Sequence, residues 1–319
     1  MGSYNEQVKA QLCKYKEKTL KIPKPGLFRG KPYCHILPDE SWEENLLSQK
    51  REQILDYAKH RHINWHLGKA HLNSSQILCF NIFFPFIYDT NPLEPYFRNK
   101  VSGFNKFARI IEFEYTDPLN LLNEPKQTNV DLAMEWLDDD CNLNLFLFEF
   151  KYTEDSFGTC SKYNKKKCRY SLDIFNHPKK CYLTNNKIKY WDELIQNGPI
   201  KIELIVGKEI CPFRSGLYQL MRNQLLAHML EKTGRYKKVI FGVIYPKHNK
   251  ALERGVSAIR TVNGTEVSWC SLIKNSDRFQ VILLDDLLTS MFKHSNDNSW
   301  KEFLIEKYGT TLGPTCCSE

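Results

Sequence analysis

Asp131, Glu149 and Lys151 are the residues whose types and spacing suggest chemistry. Glu149 and Lys151 fall in Leu143–Thr153 (LNLFLFEFKYT), whose aromatic and aliphatic content predicts a β-strand. Strand side chains alternate between faces, so Phe146, Phe148, Phe150 and Tyr152 share one face. Leu145, Leu147, Glu149, Lys151 and Thr153 share the other, which turns from apolar to charged in a single step. A buried carboxylate and a buried ammonium each cost several kcal/mol to desolvate, so a purely structural strand gains nothing from that switch. A reactive centre at the end of a core strand does gain from it. Asp131 lies upstream in Asn129–Trp136 (NVDLAMEW), and Asp138, Asp139 and Asp140 between the two segments read as a hairpin turn. Asp131 and Glu149 each stand nine residues from Asp140, so a hairpin there sets the two acids side by side. Neighbouring carboxylates repel unless a cation lies between them. Mg²⁺, which Mn²⁺ can replace, suits one or two carboxylates, a carbonyl, waters and phosphate oxygens. The expected ligand set is Asp131, Glu149 and the Phe150 carbonyl, with Glu114, or Glu112 beside it, as a candidate third carboxylate. Such an ion activates water for in-line attack at phosphorus. Lys151 is placed to orient that water or to stabilise developing charge.

Several elements must position these groups. Residues 1–40 are basic and punctuated by Pro23, Pro25, Pro32 and Pro38, which reads as an arm packed on the body. Ser41 and Glu44 have capping-box spacing and predict an amphipathic helix to about His60. A second helix is expected from Gly68 to Phe84, stopped by Pro85. Strands follow at Ala108–Tyr115, Asn129–Trp136 and Leu143–Thr153, then a basic stretch of loop and short helix at 154–198. A strand at Ile200–Val206, a helix at Gly216–Glu231 closed by Gly234, strands at Val239–Tyr245 and Phe279–Leu284, a last helix and a loose tail from 309 complete the reading. Strands alternating with helices, several apolar on both faces, define an α/β class with a central mixed β-sheet flanked by helices and an N-terminal helical elaboration. The expected organisation is one structural domain: arm and helix 1–67, core 68–290, C-terminal helix and tail 291–319.

The 319 residues are 42% hydrophobic and 26% charged, an ordinary globular composition, and the 45 Lys and Arg against 37 Asp and Glu favour an anionic partner. Lys162, Lys165, Lys166, Lys167 and Arg169, interleaved with Tyr163 and Tyr170, follow the charged strand and suit phosphate contact with stacking. No apolar leader opens the chain, and the longest apolar run, Ile77–Tyr88, is too short to span a bilayer. Eleven scattered cysteines without a framework pattern point to free thiols in a reducing, cytoplasmic compartment and to no membrane association. Cys160, Cys168, His177 and Cys181 could ligate zinc, but their spacing is irregular and lacks a C-x₂-C pair, so zinc is not expected.

The acid, the gap and the Glu149-Phe150-Lys151 triplet resemble the PD-(D/E)XK nuclease superfamily, in a bacterial restriction-endonuclease-like branch. The motif's proline is replaced here by Val130. A second Glu-x-Lys, Glu124-Pro125-Lys126, lies in a proline loop without strand context and serves as an internal control. Tyr218-Gln219-Leu220-Met221-Arg222-Asn223-Gln224 looks like the glutamine-bearing helix of such nucleases. Gln219, Arg222, Asn223 and Leu226 share one helical face. His71-Leu72-Asn73-Ser74-Ser75-Gln76 looks like their N-terminal helix motif, with Gln76 facing inward. The resemblance implies a restriction-endonuclease-like core and restriction-like or defence hydrolysis of DNA by a Mg²⁺-dependent endonuclease. It also implies catalytic roles for Asp131, Glu149, Lys151 and Gln219, and substrate contacts from Gln76, Arg222 and the basic run. A homodimer is natural for double-strand cutting, because one site cuts one strand. The alternatives are a catalytically inactive nucleic-acid-binding protein on the same fold, a nuclease acting on RNA, and a scaffold clipped by zinc.

Overall fold

The computed structural model describes residues 3–127, 129–164, 178–206 and 211–312. Its centre is a five-stranded sheet of β3 (Phe104–Thr116), β4 (Asn129–Asp138), β5 (Leu143–Phe150), β6 (Val239–Tyr245) and β7 (Phe279–Leu283), in that spatial order. β3, β4 and β5 form an antiparallel meander, while β5, β6 and β7 run parallel. The meander is tied by a tight turn in which the Asp138 carboxylate accepts from the amides of Asp140 and Asn142 and Cys141 takes positive φ. The parallel pair needs a long crossover, supplied by residues 151–238.

The alternation along β5 divides the core into two layers. Phe146, Phe148 and Phe150 pack with Leu132, Met134, Trp136 and Ile240 beneath helices α3 (Ser75–Phe83), α4 (Glu94–Lys100), α6 (Leu284–His294) and α7 (Asn298–Tyr308). Leu145, Leu147, Ala133, Phe241 and Val243 face the other way, under α5 (Tyr218–Lys232). Each such aromatic or aliphatic side chain contributes about 1.5–3 kcal/mol by leaving water, so the sheet end rests on a stiff base. Gly242 lets the Phe148 ring lie against β6: a Cβ there would stand 2.7 Å from that ring and 3.0 Å from the Gln280 carbonyl oxygen. The mixed α/β sheet with helices on both faces is the expected fold class, compatible with a restriction-endonuclease-like core.

Five local expectations are corrected. The N-terminal arm holds a helix, α1 (Tyr4–Lys18), capped by a reciprocal Ser3–Glu6 box, before a small hairpin of β1 (Gly26–Phe28) and β2 (Lys31–Tyr33). Ser41–Glu44 does not open a long helix. Asp39–Asn45 is a 3₁₀ turn, and α2 (Arg51–His60) starts later. The Glu44 carboxylate is taken by Arg51 at 2.8 and 2.5 Å, and the Leu47 amide is taken by the Asn81 side chain at 2.7 Å, so tertiary partners outbid the local cap. Residues 68–74 likewise pair with the arm, Leu37 donating to Ala70 O and Leu72 to His35 O, which delays α3 to Ser75. Ile200–Val206 forms no strand: Ile200 makes a single bridge to Ile273, Ile202–Leu204 is a 3₁₀ turn, and Ile200, Ile202 and Ile205 fill the second layer. The helix expected after β7 is two, α6 and α7.

The expectation of free thiols fails at Cys13 and Cys34, which form a disulfide joining α1 to the end of the hairpin, with Cα atoms 5.4 Å apart. Among the described residues no helix is long and apolar enough to cross a membrane.

Candidate active site

The register of the meander brings the acids together. Leu132 pairs with Phe148, so one further step sets Asp131 opposite Glu149, as the hairpin spacing predicts. On the other side, Phe113 pairs with Leu132 and Tyr115 with Val130, which brackets Glu114 opposite Asp131. Glu114, Asp131 and Glu149 therefore form a row across three adjacent strands at one end of the sheet. Glu114 takes φ +52°, a left-handed conformation that is costly for a residue with a Cβ and that concentrates at functional sites.

Each carboxylate is held differently. Glu149, 2% exposed, accepts from Lys151 Nζ and Gln219 Nε2 at Oε1, both at 2.5 Å, and from Asn223 Nδ2 at Oε2, 2.7 Å. A carboxylate offers about four lone-pair sites, so one direction on Glu149 stays open after these three. Asp131 accepts the Phe150 amide at Oδ2, 2.7 Å, and keeps some exposure to solvent. Glu114 accepts from Gln76 Nε2 at 2.8 Å and Asn129 Nδ2 at 3.2 Å.

The charges are unbalanced in a telling way. Burial and the facing Glu149 carboxylate push Asp131 well above the usual carboxylate range, with Glu114 adding to the effect and Lys151 opposing it. Burial pulls the Lys151 ammonium down, but Glu149, Glu154 and Asp131 outweigh it and hold the group protonated. Burial, with Asp131, Glu114 and Glu149 adding to it, raises the Cys79 thiol. Among the described residues no group of three or more His, Cys, Asp or Glu side chains is drawn tightly enough to hold a metal alone. Two facing carboxylates of hard oxygen donors, one driven toward its neutral form for want of positive charge, nevertheless fit a divalent cation whose shell water or phosphate completes.

The remaining site candidates divide. Gln219 and Asn223, one turn apart on α5, both reach Glu149, while Arg222 turns aside and lies over the Tyr218 ring at 5.6 Å. Gln76, 3% exposed, spends its amide on Glu114, Asn64 O and the His66 amide, so it ties α3 to the acid row. Lys165, Lys166, Lys167, Arg169, Cys168 and His177 lie outside the described residues, and Cys160 and Cys181 are buried free thiols. Glu112 pairs with Arg61 at 2.7 Å instead of joining the row. Sequence reasoning missed Glu154, which accepts from Ser75 Oγ at 2.6 Å and the Tyr152 amide at 2.7 Å, and Asn249, which donates to the Tyr152 and Glu154 carbonyls. Asn73 adds a bond to Thr153 at 2.8 Å. Together these fix the segment that leaves β5 carrying Lys151.

Gln219 is shaped by its loop. Residues 157–160 and 214–216 are laced by backbone bonds, and Gly158 sits at φ +75° against the Gln219 amide, where a Cβ would stand 2.6 Å from Oε1. A cavity of about 440 Å³ opens at the same sheet end, where Lys100, Lys247, His248 and Lys250 line it together with Glu253 and Asp286.

A mixed sheet whose strand ends carry an acid row with an adjoining lysine defines a protein with a restriction-endonuclease-like core. The family described as Restriction Endonuclease associating with ARP (REase-ARP) matches residues 9–309, and the chain belongs to that family. The matched residues take in the larger part of α1, the whole sheet and α7. No curated protein and no solved structure matches the chain.

Proposed function

We propose that this chain is a divalent-metal-dependent endonuclease that hydrolyses phosphodiester bonds in DNA, in restriction or defence. The single observation that carries this reading is Asp131 facing Glu149 across β4 and β5, with the Lys151 ammonium on the same carboxylate. Asp131, Glu149 and the Phe150 carbonyl would hold Mg²⁺, for which Mn²⁺ can substitute. When bound, the ion lowers the pKa of a ligated water and stabilises charge on phosphate oxygens.

The residues supply the rest. The Asp131 and Glu149 carboxyl groups stand at a fixed separation because β4 and β5 are paired up to the adjacent residues. Lys151, kept protonated by its acidic neighbours, donates a hydrogen bond and offers positive charge to a phosphate oxygen. Gln219 and Asn223 orient Glu149 from α5, and Gln219, at the mouth of the helix, is the one of the two that a substrate reaches. The basic run after β5 in the sequence contributes cationic groups for the backbone of the nucleic acid.

Cleavage of supercoiled plasmid by the wild type, Glu149→Ala and Lys151→Ala with Mg²⁺ and with EDTA tests this. Cutting by the wild type with Mg²⁺ alone, lost in both variants, is expected. Equal cutting by all three removes these residues from the mechanism. Binding without cutting under every condition favours a catalytically inactive binding protein, and cutting of RNA alone reassigns the substrate.

A further inference from the structure

The acid row has a rigid neighbour that the catalytic reading leaves unused. Between Asp56 and Asp89 the chain has no acidic residue, and the stretch from Lys59 to Lys69 carries Lys59, His60, Arg61, His62, His66 and Lys69. At its tip, Lys69 N donates to His66 O at 3.0 Å, closing a β-turn whose central residues are Leu67 and Gly68. Leu67 is fully exposed, at 101%. A lone surface leucine carries no weight by itself.

The bracing around this one is the second observation. Trp65 packs on Phe80 at 5.1 Å and on Trp42 at 5.3 Å, and the Lys69 ammonium sits over the Trp42 ring at 4.3 Å. The Gln76 amide then binds the loop to the site. Its Oε1 accepts the His66 amide at 2.9 Å, and its Nε2 donates to Glu114 Oε1 at 2.8 Å and to Asn64 O at 3.3 Å. One buried side chain therefore fixes the leucine's turn relative to Glu114, which faces Asp131. The chain orders a bare apolar tip within a sequence stretch rich in cationic and imidazole groups, of which Arg61 is taken by Glu112 and His60 by Asp56, and couples it to the acid row.

We propose that Leu67 is a wedge that enters the base stack of the nucleic acid lying across the acid row, unstacking a step beside the scissile phosphate. The flanking His62, His66 and Lys59 would contact the backbone on either side. Apolar side chains inserted between base steps cost a few kcal/mol of stacking, recovered through the contacts that the deformed duplex makes. The inference rests on the nuclease reading and adds to it how the substrate is shaped.

The test uses the full chain with a linear plasmid duplex, Ca²⁺ in place of Mg²⁺ so that binding is read without cleavage, and permanganate reactivity of thymines, which rises when a base is unstacked. Leu67→Ala and Leu67→Met are compared with wild type, with binding read separately by filter retention and folding by thermal melting. Both variants should melt as the wild type does, since Leu67 is fully exposed. Wild type and Leu67→Met should raise thymine reactivity several-fold at bound positions, and Leu67→Ala should leave it at the level of free duplex. Bound duplex with equal reactivity for wild type and Leu67→Ala, or with no rise for either, overturns the wedge and leaves the nuclease reading intact. No binding by wild type removes the nuclease reading itself, and the wedge with it.

Discussion

Replacing Asp131 by Asn should make the metal-free protein more stable while abolishing cleavage. Directly opposed side chains in an antiparallel pair stand about 5 Å apart, and two like charges at that distance repel by about 3 kcal/mol at an effective dielectric of ~20. Lys151 on Glu149 offsets part of this, leaving about 1–2 kcal/mol that the Asn variant should recover, the range typical of removing functional strain. Asn keeps an oxygen for the Phe150 amide, so the bond at 2.7 Å is retained. Because burial and Glu149 raise Asp131 above its ordinary range, the folded state binds a proton where the unfolded chain does not. Wild-type stability should thus increase as pH falls from that raised value toward ~4, closing the gap to the variant. Urea unfolding in EDTA at alkaline and acidic pH measures both effects. Adding Mg²⁺ should stabilise the wild type by mass action and leave Asp131→Asn nearly unmoved. A variant less stable than wild type at alkaline pH, or equally stabilised by Mg²⁺, would refute the reasoning.

Other outcomes follow from the same geometry. Asn223→Ala leaves Glu149 Oε2 without its buried donor, so cleavage should fall about 10–100-fold with DNA affinity unchanged, read by single-turnover kinetics beside binding. Gly158→Ala should displace the Gln219 amide, slowing cleavage. Paired with Gln219→Ala its effect should be non-additive in a double-mutant cycle, whereas additive losses would show that the contact does not act through Gln219. Burial, with Lys9, His71 and Lys16 adding to it, pulls His35 down to about 4. The unfolded chain then takes up the proton first, so stability on the order of 2 kcal/mol should be present above pH ~6.5 and lost as pH falls toward 4. His35→Phe should flatten that part of the stability profile.

The site's centre was legible because its geometry is local. A hairpin with a turn at Asp138–Asp140 and a period of two suffices to pair Asp131 with Glu149, and Leu143–Thr153 and Val239–Tyr245 announce themselves as strands, although the first stops at Phe150 and leaves Lys151 just beyond it. The helix between them carries its glutamine and asparagine one turn apart, so its facing was legible too, though Arg222 was grouped with them and turns away. The N-terminal region was harder. Its capping box at Ser41 is overruled by Arg51 and Asn81, partners remote from it in the fold. A buried network then runs from Asn45 to Lys307 and from Asn81 to Tyr308 and Trp300, joining chain segments more than 200 residues apart. Helix α1 did leave a trace in Ser3-x-x-Glu6 and in Val8, Leu12 and Tyr15 at helical spacing, obscured by the lysines around them. Glu154 left none: nothing in the sequence distinguishes it from Asp155, and its contact with Ser75 depends on how α3 approaches the end of β5. The Cys13–Cys34 bridge likewise depends on how the hairpin folds back on α1.

The most direct measurement is a crystal structure of the chain soaked with Mn²⁺, with the ion located by its anomalous scattering. The account predicts one strong peak between the Asp131 and Glu149 carboxylates, within bonding distance of the Phe150 carbonyl, with the Lys151 ammonium beside Glu149. A peak elsewhere, or those two side chains turned to opposite faces of the sheet with no ion between them, would contradict it.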